Sequence, residues 1–181
     1  MGDFNADARM DFAVYRPSSG VLYVHPGDGG APIVHSATPS AVAFAFNHDG
    51  DGRADLATFV DGVWRISTSM SGYQSTVTVN WGLAGDLPVS ADYDGDGRDD
   101  LAVFRPSNRT WYIQNSGGGH VFAEFGLATD VPVPGDYDGD GKSDIAVFRD
   151  GLWFINRSTN GMLIASFGLA GDKPLPNSYL P

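Results

Sequence analysis

Short apolar runs bounded by polar and turn-forming residues recur along the whole chain, and helical periodicity is nowhere sustained. One stretch shows the pattern fully. Leu101-Ala102-Val103-Phe104 is followed by Pro106-Ser107-Asn108, then by Thr110-Trp111-Tyr112-Ile113-Gln114, by Gly117-Gly118-Gly119, and by Val121-Phe122-Ala123-Glu124-Phe125. Apolar runs of this length between Pro, Gly and Asn clusters predict three strands joined by turns. A fourth segment, Val131-Pro132-Val133-Pro134, cannot donate ladder hydrogen bonds from its prolines, so it is predicted at a sheet edge. The pattern is all-β.

An acidic cluster precedes each first run, at Asp3, Asn47, Asp92 and Asp136, giving intervals of 44, 45 and 44 residues. Self-similarity at this period signals repeat architecture, and four strands per repeat suit the blades of a β-propeller. The expected fold is one propeller domain over 1–181, with four blades of about 45 residues and four short antiparallel strands each. The repeats are 1–40, 41–85, 86–129 and 130–171. Asp61-Gly62 and Asp150-Gly151 predict two-residue type I′ hairpins. Pro17-Ser18-Ser19-Gly20 and Pro106-Ser107-Asn108-Arg109 predict longer loop tips.

Trp81-Gly82-Leu83-Ala84-Gly85-Asp86-Leu87-Pro88 recurs at 125–132 and 167–174, and the first repeat carries His35-Ser36-Ala37-Thr38-Pro39 in that region instead. Asp172-Lys173-Pro174-Leu175-Pro176-Asn177-Ser178-Tyr179 aligns with 130–137, the edge strand that precedes an acidic loop. The first repeat begins at its loop and has no such strand. A closing strand over 172–181 is therefore expected to complete the first blade, either within one chain or in a neighbouring molecule as a two-chain ring or filament.

Charge refines this picture. The formal net charge is -11, and 21 of the 22 acidic residues are Asp. With only 11 Lys and Arg, binding to nucleic acid or to an anionic membrane surface is disfavoured. No apolar run approaches a membrane span, so no membrane insertion is expected. Cysteine is absent, so neither disulfides nor thiolate sites contribute. Met1-Gly2-Asp3-Phe4 enters the first repeat directly, so the expectation is a removed signal or an excised module of a secreted or cell-surface protein.

The acidic clusters follow D-x-D-x-D-G-x-x-D, which presents side-chain oxygens at loop positions one, three, five and nine and a backbone carbonyl at seven. Ca²⁺, a hard cation with six to eight oxygen ligands, fits such a loop. The third loop offers Asp92, Asp94, Asp96 and Asp100 with the Arg98 carbonyl; the fourth offers Asp136, Asp138, Asp140 and Asp144 with that of Lys142. The second has Asn47, Asp49, Asp51 and Asp55 with Arg53. The first has Asp3, Asn5, Asp7 and Asp11 with Arg9, but Ala8 stands where the others have glycine, so it is the weakest site if that φ is positive. Up to four Ca²⁺ are expected, which would bring the formal charge of -11 to about -3. An EF-hand is excluded because its twelfth position needs Glu, and Val103 and Val147 stand there.

These loops, together with the Phe-Gly-Leu-Ala segments and the apolar runs that follow the loops, make the chain similar to FG-GAP/VCBS repeats, such as those of integrin α-subunit propellers. The resemblance implies Ca²⁺ between the first two strands of each blade and an extracellular binding or adhesion platform. It implies no shared ligand. The function expected is a calcium-stabilised, non-catalytic scaffold for a protein or glycan ligand. One rival is a lectin in which Trp64, Trp111, Trp153 or the opposite-facing Tyr23, Tyr112 and Phe154 stack on sugars; another is a homo-oligomer or filament assembled through the C-terminal strand. His25, His35, His48 and His120 show no metal spacing, and no Ser, His and Asp set recurs, so no active site is expected.

Overall fold

The computed structural model describes residues 2–175 and is all-β apart from one 3₁₀ turn at Ser69–Ser71. The chain falls into two compact units, Met1–Ala84 and Gly85–Pro181, each carrying two antiparallel sheets.

In the first unit, β1 (Phe12–Arg16), β2 (Val21–His25) and β3 (Ile33–Ser36) form a three-stranded sheet. β4 (Val42–Phe46), β5 (Asp55–Val60), β6 (Val63–Ser67) and β7 (Thr76–Asn80) form a four-stranded one. In the second unit, β8 (Leu87–Pro88), β9 (Leu101–Arg105), β10 (Thr110–Gln114) and β11 (His120–Glu124) make one sheet. β12 (Val131–Pro132), β13 (Ile145–Arg149), β14 (Leu152–Arg157) and β15 (Gly161–Ser166) make the other. Every sheet is a meander in which each strand pairs with the next in sequence. The proline-bearing strands β8 and β12 lie at edges, Pro88 opposite Val103 and Pro132 opposite Val147, where a missing N–H is tolerated.

Turn chemistry sets the registers. Asp61 and Gly62 have φ of 48° and 84°, and Asp150 and Gly151 have 50° and 84°, as a type I′ turn demands. Glycine is also required by space, because a Cβ on Gly62 would lie 2.4 Å from the Gly82 carbonyl oxygen, and one on Gly151 equally close to that of Gly168.

Period-two alternation places Trp64 with Ile66, and Trp111 with Ile113, on one face of their strands, and all four are buried. The Trp64 and Trp111 Nε1–H groups donate to the Trp81 and Phe125 carbonyls at 2.7 and 3.2 Å, so the indoles are satisfied in the core. In the first unit Leu22 and Val24 pack with Phe4, Leu56 and Tyr73; in the second Ala102, Phe104, Trp111 and Ile113 pack with Val89 and Val147. Burial of each large side chain contributes roughly 1.5–3 kcal/mol.

The first sheet differs from the others at its β1 edge. Phe12 and Val14 are 67% and 62% exposed, whereas Leu101 and Val103, their counterparts on β9, are 4% and 0% exposed beside β8. Most of the closing strand expected over 172–181 lies outside the described residues, and 172–175 belong to no strand.

Candidate metal centre

Each acidic loop bends around its first residue. Asp92 Oδ1 and Oδ2 accept from the N–H groups of Gly95 and Gly97 at 2.6 and 2.8 Å, and Asp136 accepts likewise from Gly139 and Gly141 at 2.7 and 3.0 Å. The donors occupy loop positions four and six, and both have positive φ in every loop. That conformation turns their N–H groups inward, and it favours glycine. The first loop places Ala6 (φ 65°) and Ala8 (φ 63°) there, their N–H groups donating to Asp3 at 2.7 and 2.8 Å. The sequence pointed to strain at Ala8; Ala6 is a second such site. In the second loop Asn47 Oδ1 accepts from Gly50 at 3.0 Å.

The ninth position ties each loop to a distant turn of its own sheet. Asp100 Oδ2 accepts from Tyr93 N at 2.9 Å, while Oδ1 accepts from Ser116 N, beyond β10, at 2.8 Å. Asp144 makes the same pair with Tyr137 and Ser158, Asp55 with His48 and Ser69, and Asp11 with Phe4 and Gly27. All four carboxylates are buried. Burial raises the pKa of Asp55, Asp100 and Asp144, and for Asp100, also facing the charges of Asp94 and Asp92, it reaches about 6.

The fifth position behaves differently. Asp96 Oδ2 accepts from Ser116 Oγ at 2.8 Å, Asp51 Oδ2 from Ser69 Oγ at 2.9 Å, and Asp140 Oδ2 from the hydroxyls of Ser158 and Thr159. The Ser158 and Thr159 hydroxyls hold Asp140 below its ordinary pKa; at Asp51 hydrogen bonds from Arg53 and Ser69 outweigh burial in the same direction. Oδ1 of the fifth residue accepts from the seventh residue's N–H, Arg9 to Asp7 and Arg53 to Asp51 at 2.8 Å, Arg98 to Asp96 and Lys142 to Asp140 at 2.9 Å.

The carboxylates that converge are therefore those at positions one, three and nine. Asp92, Asp94 and Asp100 bring oxygens within 4.8 Å of one another, and so do Asp136, Asp138 and Asp144. Asp138 Oδ1 is buried with no hydrogen-bond partner, while its Oδ2 accepts from Asn160 N at 3.0 Å and Asn160 Nδ2 at 2.9 Å. A buried anionic oxygen without a donor is costly and fits a hard cation. In the first loop Asp7 Oδ2 is likewise buried and unpartnered; there Asn5 replaces the third-position carboxylate, and in the second loop Asn47 replaces the first.

Consecutive loops are joined within each unit. Ala54 N donates to the Asp3 carbonyl at 2.7 Å, and Ser143 N donates to that of Asp92 at 2.6 Å. In the first unit Tyr73 Oη donates across to the Phe4 and Ala54 carbonyls at 2.9 and 2.8 Å, in bonds that spacing alone does not reveal.

Other candidate residues make side-chain contacts of their own. His35 Nε2 meets Ser67 Oγ at 2.9 Å, but Ser67 is buried and also bonded to Thr76. Burial depresses the His35 pKa. The rings of Tyr23, Tyr112 and Phe154 carry the guanidinium groups of Arg16, Arg105 and Arg149 at 4.7, 4.2 and 4.7 Å.

The model of the FG-GAP-like repeat matches 92–147, from the first ligand of the third loop through the whole fourth loop. Residues 92–147 carry FG-GAP-like sequence. The match contains both three-carboxylate clusters, and the first two loops lie outside it. No curated protein matches in sequence. A solved structure titled "Streptogramin B lyase structure" is similar with a TM-score of 0.57 at 11% identity over 87% of this chain, which spans 51% of that one. At that identity the likeness concerns the fold alone, and antiparallel four-stranded sheets are consistent with a propeller-like fold. Among the described residues no helix is long and apolar enough to cross a membrane.

Proposed function

We propose that this protein is a calcium-stabilised propeller module that acts outside the cell as a non-catalytic scaffold, presenting its surface loops to a protein or glycan ligand. The observation that carries this reading is the repeated convergence of Asp92, Asp94 and Asp100, and of Asp136, Asp138 and Asp144, on loops whose backbone already holds them in place. These residues would hold the ion, which supplies positive charge that neutralises the cluster and fixes the loop. Extracellular calcium is abundant enough to fill sites of modest affinity, which suits loops lacking a bidentate Glu. The family-model match adds support, because FG-GAP-like repeats commonly bind Ca²⁺.

A scaffold role agrees with the groups available for chemistry. Ser67, the serine bonded to His35, is sealed in the core. Trp64 and Trp111 are buried, so sugar stacking on them has no exposed ring to use.

Thermal unfolding with chelator and with millimolar Ca²⁺ tests the reading. A ligand that binds the folded state at 100 times its Kd stabilises by about 2.7 kcal/mol, so a rise in Tm of several degrees is expected. An unchanged Tm, with no heat of Ca²⁺ binding by calorimetry, would reduce the loops to hydrogen-bonded turns and overturn the proposal.

A further inference from the structure

In the second unit an indole fills the space between neighbouring sheets. Trp111, with Ala123 opposite it on β11, packs against Val147 and Phe154, which pair across β13 and β14. The same four register positions in the first unit hold different residues. Leu22 and His35, paired across β2 and β3, stand for Trp111 and Ala123, while Thr58 and Arg65, paired across β5 and β6, stand for Val147 and Phe154. A cavity of about 140 Å³ lies at this place, lined by Leu22, His35, Ala37, Leu56, Thr58 and Arg65 among others. Leucine fills less volume than tryptophan, and interiors are close-packed, so the exchange accounts for the space.

The lining has two chemical halves. Leu22, Ala37 and Leu56 form an apolar wall, and opposite in character are the Thr58 hydroxyl and the Arg65 guanidinium. None of the lining residues is acidic, in a chain with 22 acidic and 11 basic residues. Arg65 is exposed, so the cavity opens to solvent, and its guanidinium makes no hydrogen bond or ion pair with a described residue. Arg105 and Arg149 are instead bound to Asp86 and Asp130 at 2.8 and 2.6 Å. His35 Nε2 meets the Ser67 hydroxyl, and burial lowers the imidazole pKa, which leaves the ring uncharged near neutral pH. Arg65 is therefore the permanent charge on an otherwise neutral lining.

We propose that this cavity binds a small carboxylate with a short apolar body. The planar guanidinium presents paired N–H donors that match the two oxygens of a carboxylate, and the Thr58 hydroxyl adds a further donor. The hydrocarbon body then lies on Leu22, Ala37 and Leu56, in the mixture of apolar wall and few polar groups that small-molecule sites use. A phosphate dianion would leave one charge uncompensated and would have no use for that wall. A cavity of about 150 Å³ admits benzene, so the body is no larger than a single six-membered ring. None of the acidic-loop ligands lines the cavity, so the inference is independent of calcium and of the scaffold reading.

Titration calorimetry with benzoate, and with the uncharged isostere benzamide, tests the proposal on the whole chain in excess Ca²⁺. Benzoate should bind at one site per chain, and benzamide roughly ten-fold more weakly or worse, because it lacks the charge that Arg65 meets. Arg65→Gln, at an exposed position, should weaken benzoate by a similar factor and leave Tm unchanged. The double variant Leu22→Trp with His35→Ala recreates the pair found at Trp111 and Ala123, and it should abolish benzoate binding by filling the cavity. Absence of benzoate binding at millimolar concentration overturns the proposal, as does equal binding of benzamide. So does benzoate affinity that survives Arg65→Gln, which decides the matter even if the double variant fails to fold.

Discussion

The first and fourth loops have the same hydrogen-bond skeleton built from different residues. In both, the first Asp collects N–H groups at positions four and six, and a buried ninth Asp reaches a distant turn. The fourth loop has glycine at both positive-φ positions and three converging carboxylates, whereas the first has Ala6, Ala8 and Asn5. Backbone geometry and ligand charge are therefore separable. The fold tolerates the loss of the glycines because the ninth-position staple holds the loop, but the first site is left with less charge and more strain.

Removing the staple should have the largest effect. Asp100→Ala strips acceptors from the Tyr93 and Ser116 N–H groups and a carboxylate from the cluster, so a loss of roughly 2–4 kcal/mol in Ca²⁺ is expected by chemical denaturation. In chelator the loss should be smaller, because the variant also removes a carboxylate whose burial opposes its ionisation. Asp11→Ala in the first loop should show less of this calcium dependence. Equal effects in the two loops, with and without metal, would erase the distinction drawn here.

Acidity sharpens it next. Burial pushes the pKa of Asp100 up to about 6 in the fold, above the ordinary aspartate value of about 3.9, so the folded state binds the proton more tightly. In chelator its contribution is fully present below about pH 4 and is lost as pH rises through about 6. With Ca²⁺ the trend should reverse, since metal needs the ionised carboxylate. Melting curves between pH 4 and 7 check the sign, and parallel profiles with and without metal would count against Asp100 as a ligand.

The smallest change concerns strain. Ala8→Gly should stabilise the first loop by about 1 kcal/mol, and Gly141→Ala should destabilise the fourth by a similar amount, because alanine is disfavoured at positive φ. Denaturant midpoints would show it; an Ala8→Gly protein less stable than the parent would mean that the left-handed conformation there carries no strain.

What local chemistry dictates was legible in the chain. The spacing of Asp3, Asn47, Asp92 and Asp136 marked the repeats, Asp61-Gly62 and Asp150-Gly151 marked their turns, and Pro88 and Pro132 marked the edge strands, because φ, donor count and hydrophobic period act over a few residues. Alternation puts Trp64 with Ile66 and Trp111 with Ile113 on one face of their strands, and the packed sheets bury that face. The division of labour inside each loop was not legible. Asp96 and Asp100 read alike as ligands, yet the fold binds Asp96 to the Ser116 hydroxyl and directs Asp100 to the Ser116 N–H and the cluster. The pairing of Asp86 with Arg105, and the bond from Tyr73 to Phe4, likewise join residues far apart in sequence. Sequence alone determined the repeat, the turns and the acidic loops, because these are properties of neighbouring residues. Tertiary structure decided which carboxylate meets a hydroxyl, which meets an arginine and which is left facing other carboxylates, because those partners meet only after the strands have paired.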